Sequence, residues 1–436
     1  MLNRPVPQRS PEELIALRRR YLNPTLSLSY QEPLKIVRGE GAYLFDQHGQ
    51  PYLDMVNNVC HVGHCHPKVV AAGAAQMAML NTNTRYLHDN LVEYALRLTE
   101  TLPQSLSVVF MTNSGTEAND LALRIARAYT AANDVIVLDH AYHGNSPSMI
   151  DLSPYKFNGR GGRGKPAHVQ FVPMPDSYRD ANAQDADYAE SHAAHIDNAI
   201  NRIHARGEKP AVFYAEAMLG CGGQTVLPPG YLQQAYARVR AAGGVCLADE
   251  VQIGFGRDGE YFWSFQSHGV VPDIVTMGKP IGNGHPVGAV VTTPEIAAAF
   301  VTGMEYFNTF SGNPVSCAIA MAVLEVIQEE KLQQNALETG AYLQQGLRQL
   351  AQQHSLIGDV RGRGLFLGAE LVRDRESKVA ATAEAKRIVE ILKTQQILLS
   401  TDGPLDNVLK IKPPVVFQRS HADQFLQALG DALHRL

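Results

Sequence analysis

The sequence contains no apolar run approaching the roughly 20 residues a membrane-spanning helix requires. It also has no basic surplus: 38 Lys and Arg stand against 43 Asp and Glu, a formal charge of −5. The first absence argues against a membrane protein, and the second against the basic stripe by which proteins hold nucleic acid. Cysteine is scarce and odd in number, with Cys60, Cys65, Cys221, Cys246 and Cys317 scattered through 436 residues. That pattern predicts reduced thiols in a cytoplasmic protein, not a disulfide framework. The opening stretch MLNRPVPQRSPEELIALRRRYLNP lacks the apolar centre of an export signal, so none is expected. Internal repeats are missing, and NGRGGRGKP (Asn158 to Pro166) reads as a basic, flexible loop.

What remains is a 45% hydrophobic chain, longer than one core usually supports. From about Leu106 onward, short apolar runs recur: LSVVFM, DVIVLD, AVFYAE, GVCLAD, DIVTM and GAVVTT. Uninterrupted runs of this length suit strands covered on both faces, as in a parallel sheet between helices. One such helix follows VVFMTNSG. Ala118, Leu121, Ala122, Ile125 and Tyr129 form its apolar face, and Ser114 with Glu117 matches a capping box at its start. A second, GYLQQAYARVRAAGG, closes on Gly243 and Gly244 and leads into VCLAD. Residues 35 to 56 alternate and turn at QHGQP like a small β-meander. Beyond about Met321, long helical stretches lead into VRGRGLFLGAEL and VLKIKPPVVF. The expected architecture is α/β: a large domain over residues 59–322 and a smaller α+β domain built from both ends, 1–58 and 323–436.

Ligands of open α/β sheets sit beyond the carboxyl ends of the strands. The polar residues that follow the apolar runs are Ser114-Gly115-Thr116, then His140, Tyr142, His143 and Gly144, Glu216, Asp249-Glu250, and Lys279. NSGT before a helix offers backbone N–H groups and hydroxyls suited to a phosphate. Tyr142 can lie against an aromatic ring. An ionised Asp249 at a buried strand end needs a cationic or hydrogen-bonding partner such as a pyridinium N–H. Lys279, in DIVTMGKPIGNG, sheds its proton more easily when desolvated and becomes an amine able to form a Schiff base. A phosphate cradle, an aromatic face, an acid for a ring nitrogen and a lysine for an aldehyde together describe pyridoxal phosphate (PLP).

At these residues the sequence resembles the class III PLP-dependent aminotransferases, a branch of fold type I. The matching motifs are NSGTEAND, DHAYHG, ADEVQIGFGR, MGKPIGNG, FNTFSGNPVSC and VRGRGLFLGAEL, in family order along nearly the whole chain. The resemblance implies a mainly parallel central sheet. It implies that Ser114, Gly115 and Thr116 hold the PLP phosphate, that Tyr142 stacks on the ring beside His143, and that Asp249 pairs with the ring nitrogen. Val251 would pack the other ring face, Gln252 and Glu216 would lie near the ring hydroxyl, and Lys279 would carry the internal aldimine. Thr309 would reach the phosphate of a neighbouring subunit, which implies a homodimer with shared sites or a tetramer built from it. A narrower resemblance, in NNVCHVGHCHP, NTNTRYLHDN, TVLPPGY, SPYKF and LKIKPP, is to the ethanolamine-phosphate and phosphohydroxylysine phospho-lyases. Many class III aminotransferases place an arginine just before the C-terminal PP to grip a carboxylate. This chain has Lys410-Ile411-Lys412-Pro413-Pro414, point charges in place of a planar fork. AEAMLG also departs from the family's usual Glu-Pro at Glu216.

The function expected is therefore a PLP-dependent phospho-lyase acting on a phosphorylated primary amine through a Lys279 Schiff base, with Asp249 and Tyr142 in support. The alternative is a class III aminotransferase using pyruvate, glyoxylate or 2-oxoglutarate. Candidates for the substrate phosphate are Arg85, His88, Lys156, Arg160, Arg163 and Lys410; a structural role is the alternative for Lys410 and Lys412 together. No metal is expected: CHVGHCH (Cys60 to His66) carries five soft ligands in a spacing that matches no usual zinc pattern. GFGRDG satisfies G-x-G-x-x-G, but EYFWSF follows it in place of a glycine-packed helix, and Lys279 lacks the P-loop glycine and Ser/Thr.

Overall fold

The computed structural model describes residues 8–436. Its centre is a seven-stranded sheet whose order is Val108–Thr112, Gly288–Thr292, Ile274–Met277, Val245–Asp249, Pro210–Ala215, Asp134–Leu138 and Val169–Val172. All strands but one run the same way; Gly288–Thr292 is antiparallel to both neighbours. The ten residues between Met277 and Gly288 are too few for a crossover helix, so the chain must double back there. The interior strands are buried along their whole length, as uninterrupted apolar runs require. Val169–Val172 was not foreseen because Gln170 interrupts its apolar run. Gln170 is buried nonetheless, accepting a hydrogen bond from Arg202 at 3.0 Å.

The helix Gly115–Thr130 packs Ala118, Leu121, Ala122 and Ile125 inward, while Tyr129 emerges at the surface and bonds Glu295. Its predicted capping box is only half formed. Ser114 accepts from the Glu117 N–H at 3.2 Å, but the Glu117 carboxylate turns to the Asn113 N–H at 2.8 Å.

The meander consists of Ile36–Glu40, Tyr43–Asp46 and Pro51–Asp54. Its last strand pairs in parallel with Ile397–Leu398, Leu53 facing Ile397, so the two ends of the chain share one sheet. A second sheet of Ile357–Arg363, Phe366–Asp374, Val408–Ile411 and Ser400–Asp402 lies nearby in sequence. Arg257, wholly buried, ties these parts together: it donates to the carbonyls of Leu365 (3.0 Å) and Pro413 (2.6 Å) and contacts His61 Nδ1 (3.3 Å). That bond fixes Pro413, and hence the lysine before it, against the large sheet.

The histidines of CHVGHCH are spent on such contacts. His61 Nε2 meets the Phe255 carbonyl, His66 pairs with Glu330, and His64 Nε2 pairs with Asp54 at 2.7 Å. Burial alone would lower the His64 pKa, but Asp54 and Cys60 outweigh it and raise it to about 10. A histidine with its folded pKa above 6.5 contributes stability fully below pH 6.5 and loses that contribution as the pH rises through 10. Asp54→Asn keeps the Oδ1 that accepts from Val56 and Asn57, removes the charge and sets an amide donor against His64 Nε2, which the neutral imidazole can accept in its other tautomer. Its melting point is expected to fall below wild type by roughly 2–4 °C at pH 6, with the gap closing by pH 10.5 in thermal scans; an equal gap at both values would contradict the assignment.

Candidate active site

A cavity of about 410 Å³ opens at the carboxyl ends of the central strands. Its walls include Ser114, Gly115, Thr116, Tyr142, His143, Glu216, Asp249, Val251, Gln252 and Lys279, residues drawn from distant parts of the sequence. The topology alone brings them together, because parallel strands put all their outgoing loops on one edge.

Asp249 ends its strand with every oxygen engaged on one side. Oδ2 accepts from His143 Nδ1 at 2.7 Å and Asn119 Nδ2 at 2.8 Å, and Oδ1 accepts from the Val251 N–H at 3.1 Å. Asn119 also donates to the His143 carbonyl, and the Tyr214 hydroxyl donates to the Asn119 carbonyl, so the carboxylate is braced through several layers. Asn119 was not singled out from the sequence. Its signal is a polar residue beside an apolar helical face, next to Ala118 and four positions before Leu123, both buried.

Lys279 begins a short 3₁₀ turn, Lys279–Gly282, with φ 23°. Left-handed backbone at a non-glycine residue stores strain of order 1–3 kcal/mol, which the surrounding packing holds. Burial lowers the pKa of its amine, partly offset by the charges of Asp249 and Glu216. No hydrogen bond or ion pair to Nζ occurs among the described residues. The result is an amine that is desolvated, uncommitted and primed to lose its proton. Glu216 also stands out: burial, then the nearby Asp249 charge, raises its carboxyl to about 7. Its Oε2 accepts from the Gly220 N–H, and its buried Oε1 has no partner among the described residues.

At the opposite end, Ser114, Gly115 and Thr116 open a helix of 16 residues. A Cβ on Gly115 would lie 2.6 Å from a Val251 methyl, and one on Gly278 would lie 2.8 Å from the Gly115 nitrogen. Gly144, at φ 145°, presses equally close to the Thr116 hydroxyl. Backbone N–H groups crowded this way, without side chains in between, suit an anion, which a helix N-terminus favours by about 0.3–1 kcal/mol. The cradle, the orphaned Glu216 oxygen and the braced Asp249 carboxylate fit a phosphate-tailed pyridine carrying a ring hydroxyl.

The predicted substrate residues scatter. Arg85 is exposed, pairs with Glu305 and covers the Phe307 ring, outside the cavity wall. His88 caps the helix Asp89–Thr99, accepting from the Asn90 N–H. Arg160 and Arg163 are exposed on their loop, and Thr309 is exposed outside the wall. Lys156 lies 5.5 Å from the centre of the Tyr142 ring and 5.1 Å from that of Tyr155. Lys410 pairs with Asp402 at 3.1 Å. Lys412, for which, as for Lys410, a structural role was the alternative, is fully buried and bonds the cavity residue Gln252 at 3.1 Å. The signal was present in the i, i+2 spacing, which sets both lysines on one side of an extended chain.

A class-III aminotransferase family model matches residues 27–433. The Drosophila melanogaster protein named alanine–glyoxylate aminotransferase 2-like is 53% identical over 433 residues, 98% of this chain and 88% of the relative. A Caenorhabditis elegans protein named ethanolamine-phosphate phospho-lyase homolog 1 is 40% identical, over 98% of this chain and 94% of its own length. Among solved structures, a phospholyase from Arthrobacter in complex with phosphoethanolamine superposes with a TM-score of 0.93 at 42% identity, covering 97% of this chain and all of that one.

Proposed function

The chain belongs to the class-III aminotransferase family, and within that family we propose that it is a PLP-dependent phospho-lyase that removes phosphate from a phosphorylated primary amine such as O-phosphoethanolamine. Members of the family are PLP-dependent enzymes, so the cofactor class follows from membership. In this reading Ser114, Gly115 and Thr116 hold its phosphate, Tyr142 and Val251 its ring, and Asp249 its ring nitrogen, with Gln252 and Glu216 near its hydroxyl and Lys279 at its aldehyde. Thr309 serves the site of a second copy in a homodimer.

PLP supplies an aldehyde that holds the substrate amine and a ring that draws electrons from the α-carbon. The chain's own groups do the rest. Lys279, whose amine burial makes easier to deprotonate, takes the proton from the α-carbon. Asp249, fixed by His143 and Asn119, keeps its ring partner protonated and so keeps the site electron-withdrawing. With phosphate on the β-carbon, the electron pair left by the proton forms a carbon–carbon double bond as the carbon–oxygen bond breaks and phosphate leaves with its pair. Water then converts the resulting enamine to acetaldehyde and ammonia, which balances the atoms of phosphoethanolamine and one water.

The observation that carries this choice lies beside the cavity: Lys410 and Lys412 flank Asp402, Lys412 bonds the wall residue Gln252, and among the described residues no arginine lines the wall. An arginine fork grips carboxylate and phosphate alike; lysines can hold a phosphate as point charges but lack the planar fork that the family's aminotransferases turn on a carboxylate. The aminotransferase reading is favoured by the 53% identity to a relative carrying an aminotransferase name. The two part in one assay. Incubated with O-phosphoethanolamine and no keto acid, the lyase releases phosphate and acetaldehyde in equal amounts over many turnovers. Phosphate-free incubation, with alanine formed once pyruvate and an amine donor are added, would establish the aminotransferase instead.

A further inference from the structure

From Leu152 to Pro175 the chain carries Lys156, Arg160, Arg163 and Lys165 and no Asp or Glu, in a protein whose formal charge is −5. The short helix Pro154–Phe157 opens this segment and is fastened to the cavity wall. The Ser153 hydroxyl before it accepts from the His143 N–H at 2.9 Å, and the Tyr155 N–H donates to the Ala141 carbonyl at 3.3 Å. Tyr155 meets the wall ring of Tyr142 edge-on, with 6.1 Å between centres, and Phe157 is buried against Phe171 at 6.0 Å. The Lys156 ammonium lies over both tyrosines, 5.5 Å from the centre of Tyr142 and 5.1 Å from that of Tyr155. Tyr142 faces the cavity and Lys156 is exposed, so the lysine stands where the wall meets solvent.

Glycines decide where the arginines go. The Gly162 N–H donates to the Gly159 carbonyl (2.9 Å) and the Gly164 N–H to the Phe157 carbonyl (3.0 Å), which folds the loop back on the end of the helix. A Cβ on Gly162 would lie 2.5 Å from the Lys156 carbonyl oxygen and closer still to that of Phe157, so no other residue fits. Consecutive α-carbons are only about 3.8 Å apart. Arg160 and Arg163, each beside one of these contact points, are therefore held close to Lys156. Lys165 turns away and donates to the Val169 carbonyl at 2.8 Å. Lys156, Arg160 and Arg163 have no acidic partner among the described residues. Asp402 and Asp406, the acids that act on Tyr155, are already paired, with Lys410 at 3.1 Å and Lys386 at 3.5 Å.

Exposed, unpaired cations contribute little as static contacts but act at range, over about 30 Å at about 10 mM salt and about 10 Å at about 100 mM. Grouped at the edge of a concave site, they draw in an approaching anion and raise its rate of entry. We propose that Lys156, Arg160 and Arg163 form a cationic collar at the mouth of the cavity that speeds the capture of a phosphorylated amine without gripping it once bound. Three clustered charges fall short of the phosphate contacts that nucleic acid engages, and one of the three faces the cavity's own ring. The identity of the substrate rests on the phospho-lyase reading; the collar's pull on a dianionic amine does not.

Stopped-flow mixing of the holoenzyme with O-phosphoethanolamine, followed through the visible band of the bound cofactor, gives association and dissociation rates whether or not phosphate is released. Between about 10 mM and about 100 mM salt the wild-type association rate constant falls by about threefold to tenfold. That of ethanolamine, which has the same carbon chain and no phosphate, does not fall. Arg160→Gln with Arg163→Gln lowers O-phosphoethanolamine association at low salt by about threefold, and adding Lys156→Gln removes most of the remaining salt dependence. Dissociation stays within about twofold of wild type, as expected for charges at a rim. Arg160→Lys with Arg163→Lys keeps the charge and with it both the rate and its salt dependence, which a structural role for the guanidinium groups would not allow. Association indifferent to salt and to the loop charges would overturn the proposal, and so would a loss that appears in dissociation, the sign of residues that grip the bound phosphate. Salt-dependent capture as stated, with no phosphate released by wild type, keeps the collar and refutes the lyase reading. Phosphate release with capture indifferent to the loop removes the collar and keeps the lyase. No change in the band with O-phosphoethanolamine would remove both.

Discussion

Lys279→Ala is expected to lose turnover by roughly 10⁴-fold or more, because in the proposed function one residue acts both as the covalent anchor and as the proton acceptor. The protein is expected to fold normally, since the amine has no hydrogen bond or ion pair to lose among the described residues. Circular dichroism and the melting curve should therefore stay close to wild type while activity disappears. A structural role would give the opposite pattern, with destabilisation out of proportion to the loss of rate. Small primary amines added to the variant should restore part of the activity, since they can enter the cavity and supply the missing base. Activity near the native rate in Lys279→Ala would remove the basis for the assignment.

Asp249→Asn is the second largest effect, a drop in kcat of about 10²–10³, the scale of losing a preorganised electrostatic contact in a water-poor site. Asparagine preserves the size of the side chain but reverses part of its bonding. One of its two terminal atoms becomes a donor facing His143 Nδ1 and Asn119 Nδ2, or turns away from both. The Asp249 charge also supports the protonated form of Lys279. Without it the lysine loses its proton at lower pH, so the acidic limb of kcat/KM that reports the free amine should move to lower pH. A pH–rate profile checks both parts together. A lowered rate with an unmoved limb would show that Asp249 acts on the cofactor alone, and an unchanged rate would show that it is not part of the machinery.

That the sequence could bring the residues of the proposed cofactor end together has a physical reason. Ser114, Tyr142, Asp249 and Lys279 each follow an apolar run, and a parallel sheet puts the ends of its strands on one edge whatever their order. The proposed substrate end was not legible in the same way. Lys410, Lys412 and Asp402 meet through an antiparallel pairing of two short strands, and nothing local in LKIKPP reveals which lysine is buried. His88 and Arg85 show the converse: basic residues in a motif near the site, whose side chains the fold spends on a helix cap and a surface ion pair. In the fold, Val169–Val172 hid behind a buried glutamine. The reversed direction of Gly288–Thr292 is set by the length of its connection, not by its residues. The pairing of Leu53 with Ile397 joins positions so far apart that no periodicity within either segment could announce it. The half-formed cap at Ser114 is a smaller case, in which Asn113 offered Glu117 a better donor than the box did.

Two lysines in this region are buried enough to have lowered pKa values, Lys279 on the cavity wall and Lys412 behind Gln252. Borohydride reduction of the holoenzyme followed by peptide mass mapping distinguishes them. The account predicts a single pyridoxyl-phosphate adduct on the peptide containing Lys279, and none on the peptide containing Lys412. An adduct on Lys412 or elsewhere, with Lys279 unmodified, would contradict it.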